Sequence, residues 1–87
     1  MKNRKQENTK KQLPLELMSN LPIMEFTGNQ QALIEGSKGV LQYEREIVKI
    51  NTNNIILVFN GRNLSIKSIS PTTVILQGYI TNVEFIV

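Results

Sequence analysis

From Met24 onward the chain consists of short apolar runs, each ended by residues that are typical of turns. In Met24-Glu25-Phe26-Thr27 apolar and polar residues alternate, which is the two-residue period of a half-buried β-strand. Gly28-Asn29 interrupts this run, and Gly36-Ser37-Lys38-Gly39 interrupts the next one. A chain that changes direction this often is expected to form an all-β fold.

The same pattern continues to the last residue. Asn60-Gly61 is typical of a tight hairpin, because both residues tolerate the positive φ of such turns, and Ser70-Pro71 and Gly78 mark two further breaks. The final run changes phase after Ile80, and a bulge near residues 81–82 would reconcile its two halves. The predicted strands cover residues 24–27, 32–34, 40–43, 47–50, 55–59, 64–67, 74–76 and 79–87.

Seven or eight short strands with regularly spaced turns indicate a small antiparallel β-sandwich or barrel. Ahead of them, Leu13, Leu17 and Leu21 are four residues apart and lie between Pro14 and Pro22, which predicts a short helix. We therefore expect a disordered arm over residues 1–12 and one β domain over residues 13–87. Within that domain, residues 13–21 form the helix and residues 22–87 the strands.

The formal net charge of +3 is concentrated in the arm. Residues 1–11 hold one Glu and five basic residues, a local net charge of +4, whereas the remainder carries −1. The five basic residues are Lys2, Arg4, Lys5, Lys10 and Lys11. Two interpretations remain open: a solubilising tail, or an arm that contacts an anionic surface, either lipid or nucleic acid.

Composition argues against an enzyme. The chain has no Cys and no His, and all seven of its acidic residues are Glu, so common nucleophile, general-base and metal-ligand schemes are missing. Gly36-Ser37-Lys38-Gly39 does not fit a P-loop, because strands are predicted on both sides of it. Ser65 and Lys67 share the alternation of any solvent-facing strand. We expect no catalytic residue, no metal site and no cofactor.

Two compositional features bear on location and on nucleic acid. The longest uninterrupted apolar run, Ile55 to Phe59, is far shorter than the roughly 20 residues of a membrane span, and the N-terminus lacks the apolar segment of a secretory signal. We therefore expect a cytoplasmic protein. The five aromatic residues all fall at positions that alternate as core or partner surface, so nucleic acid is not favoured as a partner.

Some apolar residues exceed what one buried face can hold. If Ile55, Leu57 and Phe59 face the core, Ile56 and Val58 point the other way. Ile75 lies between two apolar residues in the same manner, so it too would point away from the core. Either the predicted helix covers this second apolar face, or the face binds a second protein or a second copy of the chain. Ile56, Val58 and Ile75 are thus the candidate partner-binding residues.

The chain carries several small motifs whose order and spacing resemble those of the YqfC branch of the YabP/YqfC family of sporulation proteins. The resemblance covers everything but the arm. The matching residues are Leu13-Pro14, Asn20 to Met24, Gly28, Leu33-Ile34-Glu35, Gly39-Val40, Tyr43, Ile50, Thr52, Asn60-Gly61, Leu64-Ser65-Ile66, Ile75, Gly78, Ile80 and Phe85. Gly36-Ser37 departs from the family's Asn-His, and Asn53-Asn54 stands where a Gly is common.

The resemblance implies an immunoglobulin-like β-sandwich and a non-enzymatic protein of endospore-forming Firmicutes. Its members are made in the mother cell and are associated with a polytopic membrane protein and with the forespore envelope. The leading hypothesis is therefore a binding or assembly module in the mother-cell cytoplasm, peripheral at the forespore outer membrane. The alternative is a structural protein that self-assembles through exposed strand edges, for which the long last strand, residues 79–87, is the candidate. A nucleic-acid-binding β protein ranks third.

Overall fold

A computed structural model describes residues 21–87, and the burial of the side chains alternates along its second and fourth strands. In the second strand Ala32 and Ile34 are buried while Leu33 between them is only half-buried, and Val48 and Ile50 are buried in the same way in the fourth. The six strands of the described part are β1 (Ile23–Thr27), β2 (Gln31–Glu35), β3 (Gly39–Tyr43), β4 (Ile47–Asn51), β5 (Ile56–Ile69) and β6 (Thr73–Ile86).

All six strands belong to one antiparallel sheet in the order β1-β2-β6-β5-β4-β3. This arrangement confirms the all-β prediction and the antiparallel pairing. Within residues 21–87 there is no helix. The predicted arm over residues 1–12 lies outside the described residues, as does the predicted helix over residues 13–21 apart from Leu21.

The predicted strand count is wrong because two expected breaks lie inside strands. Asn60-Gly61 was expected to form a hairpin and Gly78 to separate two strands, yet β5 runs through the first and β6 through the second. Each of these strands has 14 residues. The turn expected at Ser70-Pro71 is present, where the Ser70 amide donates to the Thr73 carbonyl at 2.8 Å. Six strands therefore replace the seven or eight.

The bulge predicted near residues 81–82 is confirmed. Asn60 pairs with Asn82 and Gly61 pairs with Ile80, so Thr81 has no partner opposite it on β5. Its hydroxyl donates to the Asn60 carbonyl at 3.2 Å, which satisfies a polar group at the interruption. The extra residue restores the phase of the apolar positions, as the sequence required.

The long β5–β6 hairpin bends where two glycines bring its backbones together. A Cβ atom at position 61 would overlap the carbonyl oxygen of Tyr79, and one at position 78 would lie 2.6 Å from the carbonyl oxygen of Asn63. Gly78 also has φ of +135°, a conformation that side chains rarely permit. The glycines at this bend therefore permit a contact that no other residue fits.

Both outer hairpin turns dock on this bend. The turn between β1 and β2 accepts hydrogen bonds from β6, and the turn between β3 and β4 accepts them from β5. The four bonds run from Gly78 N to Gln30 O (3.1 Å), Ile80 N to Asn29 O (2.7 Å), Gly61 N to Glu46 O (3.1 Å) and Leu64 N to Arg45 O (2.9 Å). Backbone donors next to the bend thus stay satisfied where the regular ladders end.

The sheet is strongly curled. Phe26 of β1 aligns with Ala32, Leu76 and Ile66 on the next three strands, so a flat sheet would place it about 14 Å or more from Phe59 of β5. Their ring centroids are in fact 6.5 Å apart. Curling therefore brings the edge strand β1 close to the first half of β5, with the core on the concave face between them.

One core fills that concave face, and its buried members come from four strands: Ala32, Ile34, Val48, Ile50, Leu57, Phe59, Leu64, Val74, Leu76 and Ile80. Met24, Val40 and Ile66 are among the half-buried side chains packed against it. The predicted two-sheet, immunoglobulin-like sandwich is not confirmed, because a single continuous sheet encloses this core by bending β5 and β6.

The bend yields a stability prediction. Gly78→Ala is expected to lower the free energy of unfolding by about 3 kcal/mol, because backbone strain and overlap with Asn63 act together. The matched control is Gly28→Ala, since Gly28 also has positive φ but has open space around it, and about 1 kcal/mol is expected there. Urea denaturation followed by circular dichroism measures both. Equal losses would show that the bend tolerates a side chain.

Candidate interaction surface

Val58 is buried on the face of the sheet that points away from the core. Its neighbours in the ladder are Lys49 on β4 and Glu84 on β6, whereas the adjacent core residues Leu57 and Phe59 pair within the concave face. Val58 is nevertheless only 4% exposed. The expectation that Val58 points away from the core therefore agrees with its register, and its burial makes it the floor of an apolar area on the convex face.

Ile56 and Ile86 extend that floor. Ile56 lies two residues before Val58 on the same face, and it pairs directly with Ile86 of β6. Ile56 is half-buried and Ile86 is 41% exposed, so both keep accessible carbon surface. We call Ile56, Val58 and Ile86 the convex strip. It is a small apolar area with a charged residue on either side of its buried centre.

Ile75 lies elsewhere. It pairs with Leu33 of β2 and Ser68 of β5, at the turn end of the long hairpin, whereas Ile56 pairs near the opposite end. The side chain is half-buried. The structure therefore brings Ile56 and Val58 together and places Ile75 on the other half of the curled sheet, so the three candidates do not form one surface.

Ile86 and Phe85 were not among the candidate partner-binding residues, although the predicted strand that contains them, residues 79–87, was the candidate edge for self-assembly. β2 pairs with β6 only over residues 73–77, so within residues 21–87 the end of β6 has a neighbour strand on one side only. Phe85 on this free edge is 55% exposed. Treating Asn60-Gly61 as a hairpin hid these residues, because that reading removes the long pairing of β5 with β6. The unexplained apolar residues at the end of the chain were the available signal.

The motifs considered for catalysis take structural roles. Ser37 is buried in the connection from β2 to β3, where its hydroxyl accepts from the Gly39 amide at 3.2 Å, as expected of a turn. A register shift between Ile66 and Ser68 leaves Lys67 unmatched in the ladder. Within residues 21–87, no three Asp, Glu, His or Cys side chains lie close enough together to hold a metal ion.

The question of contact with a membrane concerns both the basic arm and the described residues. Lys2, Arg4, Lys5, Lys10 and Lys11 all lie outside the described residues, so their predicted contact with an anionic surface stays a prediction. In the part of the chain that the structure describes, no helix has the length and apolar character needed to cross a membrane.

Comparison of the sequence with known proteins identifies the family to which the chain belongs. The model of the YabP family matches residues 21–86, nearly the whole described part. The chain is also similar to a Bacillus subtilis (strain 168) protein named "Uncharacterized protein YqfC", with 27% identity over 75 residues, which is 86% of this chain and 81% of that protein. The match spans all six strands and the bend that joins them, and on this ground the chain belongs to the YabP/YqfC family.

Proposed function

We propose that the protein is a non-enzymatic binding module of the sporulation pathway, which docks on a polytopic membrane protein through the convex strip. The observation that carries this proposal is the apolar area of Ile56, Val58 and Ile86 on the face opposite the core. Apolar groups placed away from the core in this way are typical of surfaces kept for a partner. Membership of the YabP/YqfC family supports sporulation in an endospore-forming bacterium as the proposed biological setting.

The shape of the convex strip suits a partner segment with apolar side chains and mixed charge at its rim. Lys49 and Glu84 flank the strip, so a partner can add one ion pair of each sign around a desolvated centre. Val58 is already covered, so contact falls on Ile56 and Ile86. The proposed site is small, and the membrane around the partner would add to the affinity.

The basic arm would supply the contact with the membrane around the partner. Lys2, Arg4, Lys5, Lys10 and Lys11 give residues 1–11 a net charge of +4. Each basic side chain near an anionic leaflet contributes about 1 kcal/mol, which biases location without anchoring the protein. In this proposal the module lies in the mother-cell cytoplasm, peripheral at the forespore outer membrane, with the arm on the lipid and the sheet on the membrane protein.

Removal of accessible carbon from the convex strip tests the docking site. The double variant Ile56→Ser and Ile86→Ser is expected to reduce co-purification with the co-expressed membrane partner at least about tenfold, since two partly exposed contacts are lost. Quantitative pull-down from detergent measures the retained fraction. Val58 is left intact because its burial makes any polar substitution there a change in stability.

The matched control is Ile69→Ser, which removes an exposed isoleucine from the turn end of the long hairpin. This control should keep full co-purification. The thermal midpoints of both variants, measured by circular dichroism, show whether the fold survives. If the double variant remains folded and still co-purifies like the control, the convex strip is not the docking site.

Deletion of residues 1–11 tests the arm separately. Wild-type protein should co-sediment with vesicles that contain phosphatidylserine and lose this binding as salt is raised, because the attraction is electrostatic. Vesicles of phosphatidylcholine alone are the lipid control, and a chain with Gln at all five basic positions is the charge control. Binding that survives the deletion or the substitutions would show that the five basic side chains do not carry the membrane contact.

A second candidate function follows from the free edge of β6. The end of β6, which carries the exposed Phe85 and Ile86, pairs with β5 on one side and is open on the other, so it is a template for another strand. This supports self-assembly into a structural layer of the spore envelope. This alternative needs a second copy of the chain and no membrane partner.

Light scattering of the purified protein separates the two functions. If the edge pairs copies, the mass should rise with concentration, and Phe85→Lys should restore the monomer because a charge on an edge strand opposes pairing. Leu41→Lys on β3 is the control at another exposed apolar position. A wild-type chain that stays monomeric at high concentration rejects self-assembly and leaves the docking proposal untouched.

A further inference from the structure

A polar groove lies beside the bend of the long hairpin, with a volume of about 450 Å³. This volume falls within the range of small-molecule sites. The residues that line it are Gln30, Arg62, Asn63, Ser65, Gln77, Gly78 and Tyr79. We call it the bend groove, and it shares no residue with the convex strip.

Arg62 and Tyr79 form the one charged and aromatic element of this lining. They are direct partners in the β5–β6 ladder, and the guanidinium carbon of Arg62 lies 4.9 Å from the centre of the Tyr79 ring. This cation–π contact holds the cation at a defined position while its N–H groups remain able to donate. None of the seven lining residues is acidic, so the groove itself does not neutralise the charge.

The other polar side chains of the groove are uncharged and can form hydrogen bonds in both directions. Gln30, Asn63 and Gln77 each carry an amide, and Ser65 carries a hydroxyl, so each of the four can both donate and accept a hydrogen bond. A ligand that matches them presents several groups of the same dual character. Hydroxyl groups on a sugar ring do so, whereas an ionised carboxylate alone can only accept.

The backbone of the bend sets where these side chains leave the two strands. The register shifts between Arg62 and Ser65, opposite Gly78, and Asn63 has φ of +52°. Bulges of this kind redirect side chains, and unusual backbone conformations cluster at binding sites. The close approach at the bend accounts for Gly78 but does not require an arginine, a tyrosine and three amides around it.

We propose that the bend groove binds a sugar that carries an anionic group, a carboxylate or a phosphate. The anionic group pairs with the Arg62 guanidinium, whose planar fork of N–H groups can donate two parallel hydrogen bonds to a carboxylate or to a phosphate. The ring hydroxyls bond to the amides of Gln30, Asn63 and Gln77 and to Ser65. This site is independent of the convex strip and adds a small-molecule ligand to a protein proposed to bind another protein.

Amide chemical shifts of the full chain, followed by NMR, test the proposal. Glucuronate and glucose 6-phosphate are the probes and show which anion is preferred. Glucose lacks the charge, while acetate and inorganic phosphate lack the hydroxyls. At least one anionic sugar should shift residues 62–65 and 77–79 in a saturable way and bind at least about tenfold more tightly than glucose and than the matching simple anion.

Arg62→Gln is expected to weaken that binding at least about tenfold, because it removes the charge and keeps a hydrogen-bonding side chain. Arg45→Gln is the control, since Arg45 is an exposed cation in the turn between β3 and β4 and does not line the groove. Dispersed spectra confirm that both variants are folded. The proposal is overturned if neither anionic sugar gives saturable shifts, if glucose or the simple anion binds equally well, or if Arg62→Gln binds like wild type.

Discussion

The contact on which the rest of the structure depends is the approach of two backbones at Gly61 and Gly78. Position 61 lies against the Tyr79 carbonyl and position 78 against Asn63, so neither has room for a side chain. Because the hairpin can bend there, a single sheet encloses the core, and no second sheet is needed to cover it. The turns of the outer hairpins then bond to the backbone next to the bend and hold the curvature.

Sequence periodicity predicted as much of this fold as local pattern can specify. The first four strands follow from alternation, and the bulge at Thr81 follows from the change of phase in the last run. Alternation could not show that Asn60-Gly61 and Gly78 lie within strands. Glycine is required both by a tight hairpin and by close backbone approach, and only the pairing of distant residues distinguishes them.

The candidate surface, too, could be predicted in part from local pattern and depended in part on strand pairing. Alternation placed Ile56 and Val58 opposite Leu57 and Phe59, and the register agrees. It could not show that Ile86 completes the strip or that Ile75 lies on the other half of the sheet, because both depend on which strands pair. The bend groove was equally hidden, since Arg62 and Tyr79 meet only through the pairing of β5 with β6.

The strand order also has a consequence for how the chain reaches its native state. Every ladder but one joins strands that follow each other along the chain; the exception is the ladder of β2 with β6. Closing that ladder carries the largest loss of chain entropy, because it joins the two ends of the described chain. The sequential hairpins are therefore expected to form early and the β2–β6 ladder last, and until it closes β6 presents a second open edge to other chains.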